Sequence, residues 1–103
     1  MKHFLIKYRR ENGNQDEWHR EIARFISALD KDPALAGKIS YRCMRGGGDS
    51  GYFHFASVAD DGAAQTLQQR DFFKHYTEQT RLVAGGQVEV VPLELVAETQ
   101  RRA

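Results

Sequence analysis

Hydrophobic and polar residues alternate near the start of the chain, and this pattern predicts a β-strand over residues 3–8. Phe4, Ile6 and Tyr8 share one face of this strand, whereas Leu5 lies on the opposite face. The second face is therefore only partly apolar.

The spacing of apolar residues then changes to that of an amphipathic helix. The helix is predicted to begin near Glu17 with Asp16 as its N-cap, and to end before Asp32 and Pro33. Its apolar stripe consists of Trp18, Ile22, Phe25, Ile26 and Leu29.

Two further alternating segments, residues 39–44 and 52–55, predict an antiparallel hairpin. Phe53 and Phe55 share one face of the second strand, and Tyr52 and His54 share the other, so both faces are largely covered by aromatic residues. The glycine-rich run 46–51 lacks the lysine and the following helix of a phosphate-binding loop. It is interpreted as a flexible hairpin tip.

A second helix is predicted after Asp60 or Asp61, either of which could cap it. Its apolar stripe changes phase near Arg70, which predicts a kink or a restart at that point. A pair of glycines at 85–86 ends the helix. The final strand is predicted over residues 87–96, followed by a frayed tail at about 98–103.

The predicted order is β-α-β-β-α-β, an α+β ferredoxin-like protomer that occupies residues 1–103 as a single domain. Two helices would cover one face of a four-stranded antiparallel sheet. Because the other face also carries apolar side chains, a second copy of the chain is expected to cover it. The expected assembly is a homodimeric α/β barrel.

Charge and composition exclude several classes of function. The 103 residues include 15 basic and 14 acidic ones, so nucleic-acid binding is not expected. The aromatic run at residues 52–55 also departs from an RNA-recognition motif, because Phe53 occupies the position of a small residue. Cys43, the single cysteine, cannot form an internal disulfide, and no cluster has metal-ligand spacing. Without a leader or an apolar span, a cytoplasmic protein with no membrane contact and no cofactor is expected.

The segment Arg70-Asp71-Phe72-Phe73-Lys74-His75-Tyr76, with residues 81–83 and the strand at 88–91, resembles the second-helix signature of the antibiotic-biosynthesis-monooxygenase-like group. This group lies within the dimeric α/β-barrel superfamily. Residues 93–96 resemble the family's C-terminal extension, which commonly reaches towards the partner subunit. The resemblance covers almost the whole chain.

The resemblance implies a pocket between the sheet and the helices, in which some members oxidise polycyclic phenols or quinols with molecular oxygen and without a metal or flavin. Other relatives degrade haem. Leu67 occupies the position of a histidine in quinol-oxidising members and of a tryptophan in haem-degrading ones, and Thr77 replaces the haem-degrading histidine. His75 lies near that haem position but about half a helical turn out of phase. Haem chemistry is therefore disfavoured.

Two residues are candidates for catalysis. His54 could accept a phenolic proton at neutral pH, although a histidine hydrogen-bonded across the dimer interface is the favoured interpretation. Arg42 could stabilise a phenolate, although an ion pair at the surface or the interface is more ordinary. Cys43 is interpreted as a buried, inert thiol, and His3, His19 and His75 as superficial side chains.

The candidate substrate-binding residues are all aromatic, and each of them could equally be a core residue with one polar end. They are Trp18, Tyr41, Tyr52, Phe72 and Tyr76.

Two hypotheses of function follow. The first is a cofactor-independent monooxygenase-like protein that acts on a small aromatic or quinol-type compound. The second is a non-catalytic dimeric module that binds a small ligand or only assembles. A roomy cavity with His54 or Arg42 pointing inward favours the enzyme, whereas a collapsed apolar gap favours the module.

Overall fold

The fold is described from a computed structural model, which covers residues 1–46 and 50–100. Four strands and three helices follow one another along these residues. They are β1 (Lys2–Arg9), α1 (Gln15–Lys31), β2 (Ile39–Arg45), β3 (Gly51–Val58), α2 (Asp61–Gln69), α3 (Asp71–Val83) and β4 (Glu89–Leu93).

The strands form one antiparallel sheet in the order β2-β3-β1-β4. This order, with helices after β1 and β3, is the predicted ferredoxin-like α+β fold. The predicted hairpin is also confirmed, since Ile39 pairs with Val58 and Arg45 pairs with Tyr52. Residues 47–49 of the predicted flexible tip, and residues 101–103 of the predicted frayed tail, lie outside the described residues.

The first helix begins earlier than the sequence predicts. Asn14, and not Asp16, is the N-cap, because its side chain accepts a hydrogen bond from the backbone N–H of Glu17. Asp16 and Glu17 instead lie in the first turn, where their charges favour the helix dipole. The apolar stripe is confirmed, with Trp18 and Phe25 among its buried members.

The predicted second helix is two helices. Arg70 has an extended backbone conformation (φ −74°, ψ 133°) and separates α2 from α3, which confirms the predicted restart. Its guanidinium Nε donates to Oδ2 of Asp32 at 2.7 Å, and this contact ties the junction to the end of α1. Gly85 and Gly86 end α3 with positive φ angles of 66° and 90°, which favour glycine.

The final strand is shorter than predicted. It covers Glu89–Leu93, and the predicted residues 94–96 are not part of the sheet. Pro92 lies opposite Phe4 on β4, an edge strand of the sheet, where proline is tolerated. None of the helices in the described ranges is long and apolar enough to cross a membrane.

The core lies between the three helices and one face of the sheet. Tyr8 and Tyr52 from the sheet pack there with Trp18, Phe25 and Leu29 from α1. The opposite sheet face has no helix over it. Several large apolar side chains on that face are a third or more exposed: Met44 (45%), Phe53 (38%), Phe55 (39%) and Leu93 (39%).

Candidate functional site

A cavity of about 920 Å³ lies between the sheet and the helices α2 and α3. Its sheet wall is mostly aliphatic, and its helix wall adds aromatic and polar side chains. The sheet side is lined by Lys2, Phe4, Ile6, Ile39, Tyr41, Ala56, Val58 and Val90, with Val88 just before β4, and the helix side includes Asp61, Leu67, Phe73, Tyr76, Thr77, Glu78, Thr80 and Arg81. Such a wall suits a flat apolar ligand with few polar groups.

Two tyrosines of the cavity lining hydrogen-bond one another. Tyr41 projects from β2 and Tyr76 from α3, and the Tyr41 hydroxyl donates to that of Tyr76 at 3.4 Å. Both oxygens also approach Nδ1 of His54, Tyr41 at 2.8 Å and Tyr76 at 3.2 Å. The two hydroxyls therefore connect the cavity to a histidine behind it.

His54 lies on β3 and is fully buried. Its Nε2 is 2.8 Å from the hydroxyl of Tyr8, and that hydroxyl accepts a hydrogen bond of 2.9 Å from the indole N–H of Trp18. Burial lowers the pKa of His54 to about 4, so the imidazole is neutral at pH 7.

The same burial keeps the surrounding groups protonated. It raises the pKa of Tyr8, Tyr41 and Tyr76 above the usual range of a phenol, and it raises the pKa of the Cys43 thiol to about 11. The cluster is therefore uncharged at neutral pH. A thiol with this pKa is a poor nucleophile, in agreement with the inert cysteine that the sequence predicts.

Ring contacts hold these hydroxyls in place. Tyr76 stacks on Phe25 with ring centroids 3.8 Å apart, and its ring also lies parallel to that of Trp18 at 5.8 Å. Tyr8 stacks on Tyr52 at 5.3 Å. Because each ring is fixed by a neighbour, the hydroxyls and the imidazole are positioned before any ligand binds.

The favoured interpretation of His54 as a dimer-interface residue is wrong. Its side chain lies on the helix-facing side of the sheet, where it contacts Tyr8, Tyr41 and Tyr76. The sequence alone does not decide which sheet face carries His54, because aromatic residues occupy both faces of β3. The backbone register decides it, since His54 lies opposite Ile6 and Cys43, which pack against the core.

Arg42 does not join His54. It alternates with Tyr41 and Cys43, which pack towards the helices, and its strand partner is Phe55 on the opposite face. Arg42 is exposed on that face and does not line the cavity. Each residue was a candidate because of its chemistry alone, and the register of β2 and β3 places the two on opposite faces of the sheet.

Of the five predicted ligand-binding residues, Tyr41 and Tyr76 line the cavity. The other three are packed outside its wall. Trp18 is buried behind Tyr76, Tyr52 is buried with its hydroxyl 2.9 Å from Nε2 of His19, and Phe72 packs against Phe25.

Sequence reasoning missed two residues of the site. Tyr8 was assigned only to an apolar strand face, yet its hydroxyl bonds a histidine 46 residues away. Phe73, and not its neighbour Phe72, lines the cavity. Neighbouring helical positions differ in direction by about 100°, so the exact start of α3 was needed to choose between them. Within the described residues, no group of three or more histidine, cysteine or acidic side chains could hold a metal ion.

Solved structures with this fold include several oxygenases. A point variant of SnoaB, a cofactor-independent oxygenase from Streptomyces nogalater, superposes with a TM-score of 0.76 at 16% identity, covering 97% of each chain. A structure described as an antibiotic biosynthesis monooxygenase has a TM-score of 0.74 at 14% identity, covering 94% of this chain and all of that one.

A conserved protein from Methanosarcina mazei Go1 also has a TM-score of 0.74, at 14% identity and with 89% of each chain covered. No protein-family model and no curated protein matches the chain. The superpositions on the solved structures confirm the resemblance to antibiotic-biosynthesis-monooxygenase-like proteins for the fold.

Proposed function

We propose that this protein is a cofactor-independent monooxygenase that acts on a hydroxylated aromatic compound. The reaction converts a phenol with a free ring C–H position and one O₂ into a quinone and one water. One oxygen atom enters the ring and the other leaves as water. The substrate supplies all the electrons, so the balance requires no external reductant.

The observation that carries this proposal is a large, mostly apolar cavity whose lining includes two hydrogen-bonded tyrosines. The cavity can hold a flat ring system, and the hydroxyls of Tyr41 and Tyr76 can hydrogen-bond a phenolic oxygen. Oxygen dissolves readily in apolar surroundings, and a bound ring system that excludes water would strengthen each hydrogen bond to a developing anion.

The chain's own residues would bind and orient the substrate. Tyr41 and Tyr76 would hold its oxygen, while Phe73 and Leu67 would pack against its rings. His54 contacts both hydroxyls but does not line the cavity, so it would act on the substrate only through them.

Two observations support the alternative of a non-catalytic ligand-binding module. Leu67, at the position where quinol-oxidising relatives are expected to carry histidine, is an apolar and buried part of the cavity wall. In addition, the hydroxyls of Tyr41 and Tyr76 are already hydrogen-bonded to one another and to His54. Such a cavity could bind an aromatic ligand without transforming it.

Oxygen uptake with a panel of naphthols, anthrones and dihydroxy-aromatics tests the two functions. An enzyme raises the rate above the uncatalysed one and places one atom of ¹⁸O from labelled O₂ in the quinone. His54→Gln should reduce the rate, and His75→Gln, the same change at an exposed helix position, should not. Binding without enhanced uptake supports the module, and neither binding nor uptake rejects both.

We further propose that the protein is a homodimer through the uncovered sheet face. Met44, Phe53, Phe55 and Leu93 expose apolar surface there, and a symmetric sheet-on-sheet contact would bury it. The cavity lies on the other side of the sheet, so association would leave it accessible.

A further inference from the structure

The two ring nitrogens of His54 hydrogen-bond residues that line two different cavities. Nδ1 contacts Tyr41 and Tyr76, which line the cavity of about 920 Å³. Nε2 contacts Tyr8, which lines a second and more open cavity of about 440 Å³ at the end of β1. His54 itself is fully buried. A hydrogen-bonded path through the imidazole therefore joins two residues of the first cavity to one residue of the second, the open recess.

The hydrogen bonds of the Tyr8 hydroxyl determine which tautomer of the His54 imidazole is present. The indole N–H of Trp18 can only donate, so the Tyr8 oxygen accepts from it. If Nε2 of His54 also carried a proton, the Tyr8 oxygen would accept twice. Its own O–H would then lack an acceptor in the described part of the chain, at a buried position. The Tyr8 O–H therefore donates to Nε2, and the imidazole proton lies on Nδ1.

The other hydrogen bonds of the network then run in one direction, from His54 through Tyr41 to Tyr76. Nδ1–H of His54 donates to the Tyr41 oxygen, and the Tyr41 hydroxyl donates to Tyr76. Each donor from Tyr8 through His54 to Tyr41 thus has an acceptor, which is the arrangement that a proton relay requires.

We infer that His54 is a positioning residue that rests as the Nδ1–H tautomer and relays protons between Tyr8 at the open recess and Tyr41 at the substrate cavity. This role rests on the proposed function: when the phenolate form of the substrate combines with O₂ at its ring carbon, the peroxide anion that forms needs a proton. The Tyr41 proton passes to the peroxide oxygen, the Nδ1 proton to Tyr41, and the Tyr8 proton to Nε2. Water in the recess then reprotonates Tyr8.

The return transfer closes the cycle. When the quinone forms, the ring C–H proton leaves towards Tyr41 and hydroxide leaves from the O–O bond. A proton passes from Tyr41 to Nδ1, and the Nε2 proton passes through Tyr8 to the recess, where it neutralises the hydroxide that the first relay left there. The hydroxide from the O–O bond takes up the proton that the phenol released when it formed its phenolate, which gives the one water of the reaction. No electrons move along the chain, and the resting tautomer is restored.

Nuclear magnetic resonance of ¹⁵N-histidine-labelled protein tests the tautomer without any substrate. The expected spectrum at pH 7 shows a protonated Nδ1 and an unprotonated Nε2 for His54, and Tyr52→Phe leaves it unchanged because that hydroxyl bonds His19 instead. An Nε2–H tautomer or a doubly protonated ring in the wild type would overturn the inference. This result is independent of turnover, so it separates failure of the relay from failure of the proposed function.

Solvent exchange of the Nδ1 proton tests the path. Tyr8→Phe keeps the ring but removes the link to the recess, so exchange should slow by about fivefold or more, the scale of one lost hydrogen bond. Tyr52→Phe is the matched control, because it also removes the hydroxyl of a buried tyrosine. Thermal melting of both variants checks that each of them folds. Unchanged exchange in folded Tyr8→Phe, or equal slowing in both variants, would overturn the relay.

Discussion

Tyr41 and His54 lie on neighbouring strands, and the Tyr41 oxygen is 2.8 Å from Nδ1 of the imidazole. Tyr41 lines the large cavity, whereas His54 does not. A ligand would therefore contact the phenol first, and the imidazole would influence that ligand only through the Tyr41 hydroxyl. A change at Tyr41 should therefore alter ligand binding directly, whereas a change at His54 should alter proton transfer through Tyr41.

Tyr41→Phe should weaken the binding of a phenolic ligand by about fivefold, because one hydrogen bond to its oxygen is lost while the ring wall is kept. Calorimetric titration with a naphthol and with its methyl ether would measure this. The wild type should prefer the naphthol, and the variant should bind both with similar affinity. An undiminished preference in the variant would show that Tyr41 does not hold the phenolic oxygen.

His54→Gln should lower the free energy of unfolding by about 1–3 kcal/mol, because buried hydroxyls lose a partner. His75→Gln is the matched control, since His75 is exposed on α3 and pairs with Glu21 at the surface. Its effect should stay within about 0.5 kcal/mol. Urea unfolding of both variants at pH 7 gives the comparison, and equal losses would contradict the buried network.

Stability should fall as the pH is lowered from about 6.5 to about 4. The pKa of His54 is about 4 in the folded protein, against 6.5 in an unfolded chain, so the unfolded state binds a proton first. At about pH 4 the titration of His54 alone lowers the free energy of unfolding by about 3 kcal/mol. Above pH 7 it has no effect, because the imidazole is neutral in both states. Unfolding free energies measured across this range should fall less steeply in His54→Gln than in the wild type. Parallel curves would refute the assignment.

Arg70→Met should raise the pKa of Asp32. In the folded protein the hydrogen bond from the Arg70 guanidinium holds the pKa of this carboxyl below its usual value. Titration of the carboxyl carbon by ¹³C resonance would detect the change. Asp61, whose pKa is held low by Lys2 at a separate site, is the internal control and should not respond.

Phe55→Glu should dissociate the proposed homodimer, because it places a charge on the uncovered sheet face. Sedimentation should show a dimer for the wild type at micromolar concentration and a monomer for the variant. Glu78→Gln, an exposed change on α3, should remain dimeric. A stable wild-type monomer would remove the basis for the dimer.

Alternation along the strands was sufficient to predict the sheet and its two apolar faces. It placed Phe4, Ile6 and Tyr8 on one side, and the structure has Ile6 and Tyr8 packed in the core. The break at Arg70 was also detectable, since the helical stripe changes phase there. Local patterns suffice for such features because neighbouring residues determine them.

The site could be predicted only in part because it depends on contacts between distant segments. Tyr8, Tyr41, His54 and Tyr76 come from three strands and a helix, and no spacing along the chain pairs them. The face occupied by His54 depends on the register of β3, and the aromatic residues on both sides of that strand removed the usual polarity signal. The same register separates Arg42 from the cavity.

The single tryptophan of the chain is also a donor in this network, since the Trp18 indole bonds Tyr8 and stacks on Tyr76. All indole fluorescence therefore originates beside the cavity, and tyrosine excitation transfers to it over a few ångströms. An aromatic guest that displaces the Tyr76 ring would change the emission of Trp18. The molecule thus contains its own optical probe of occupancy, with no label attached.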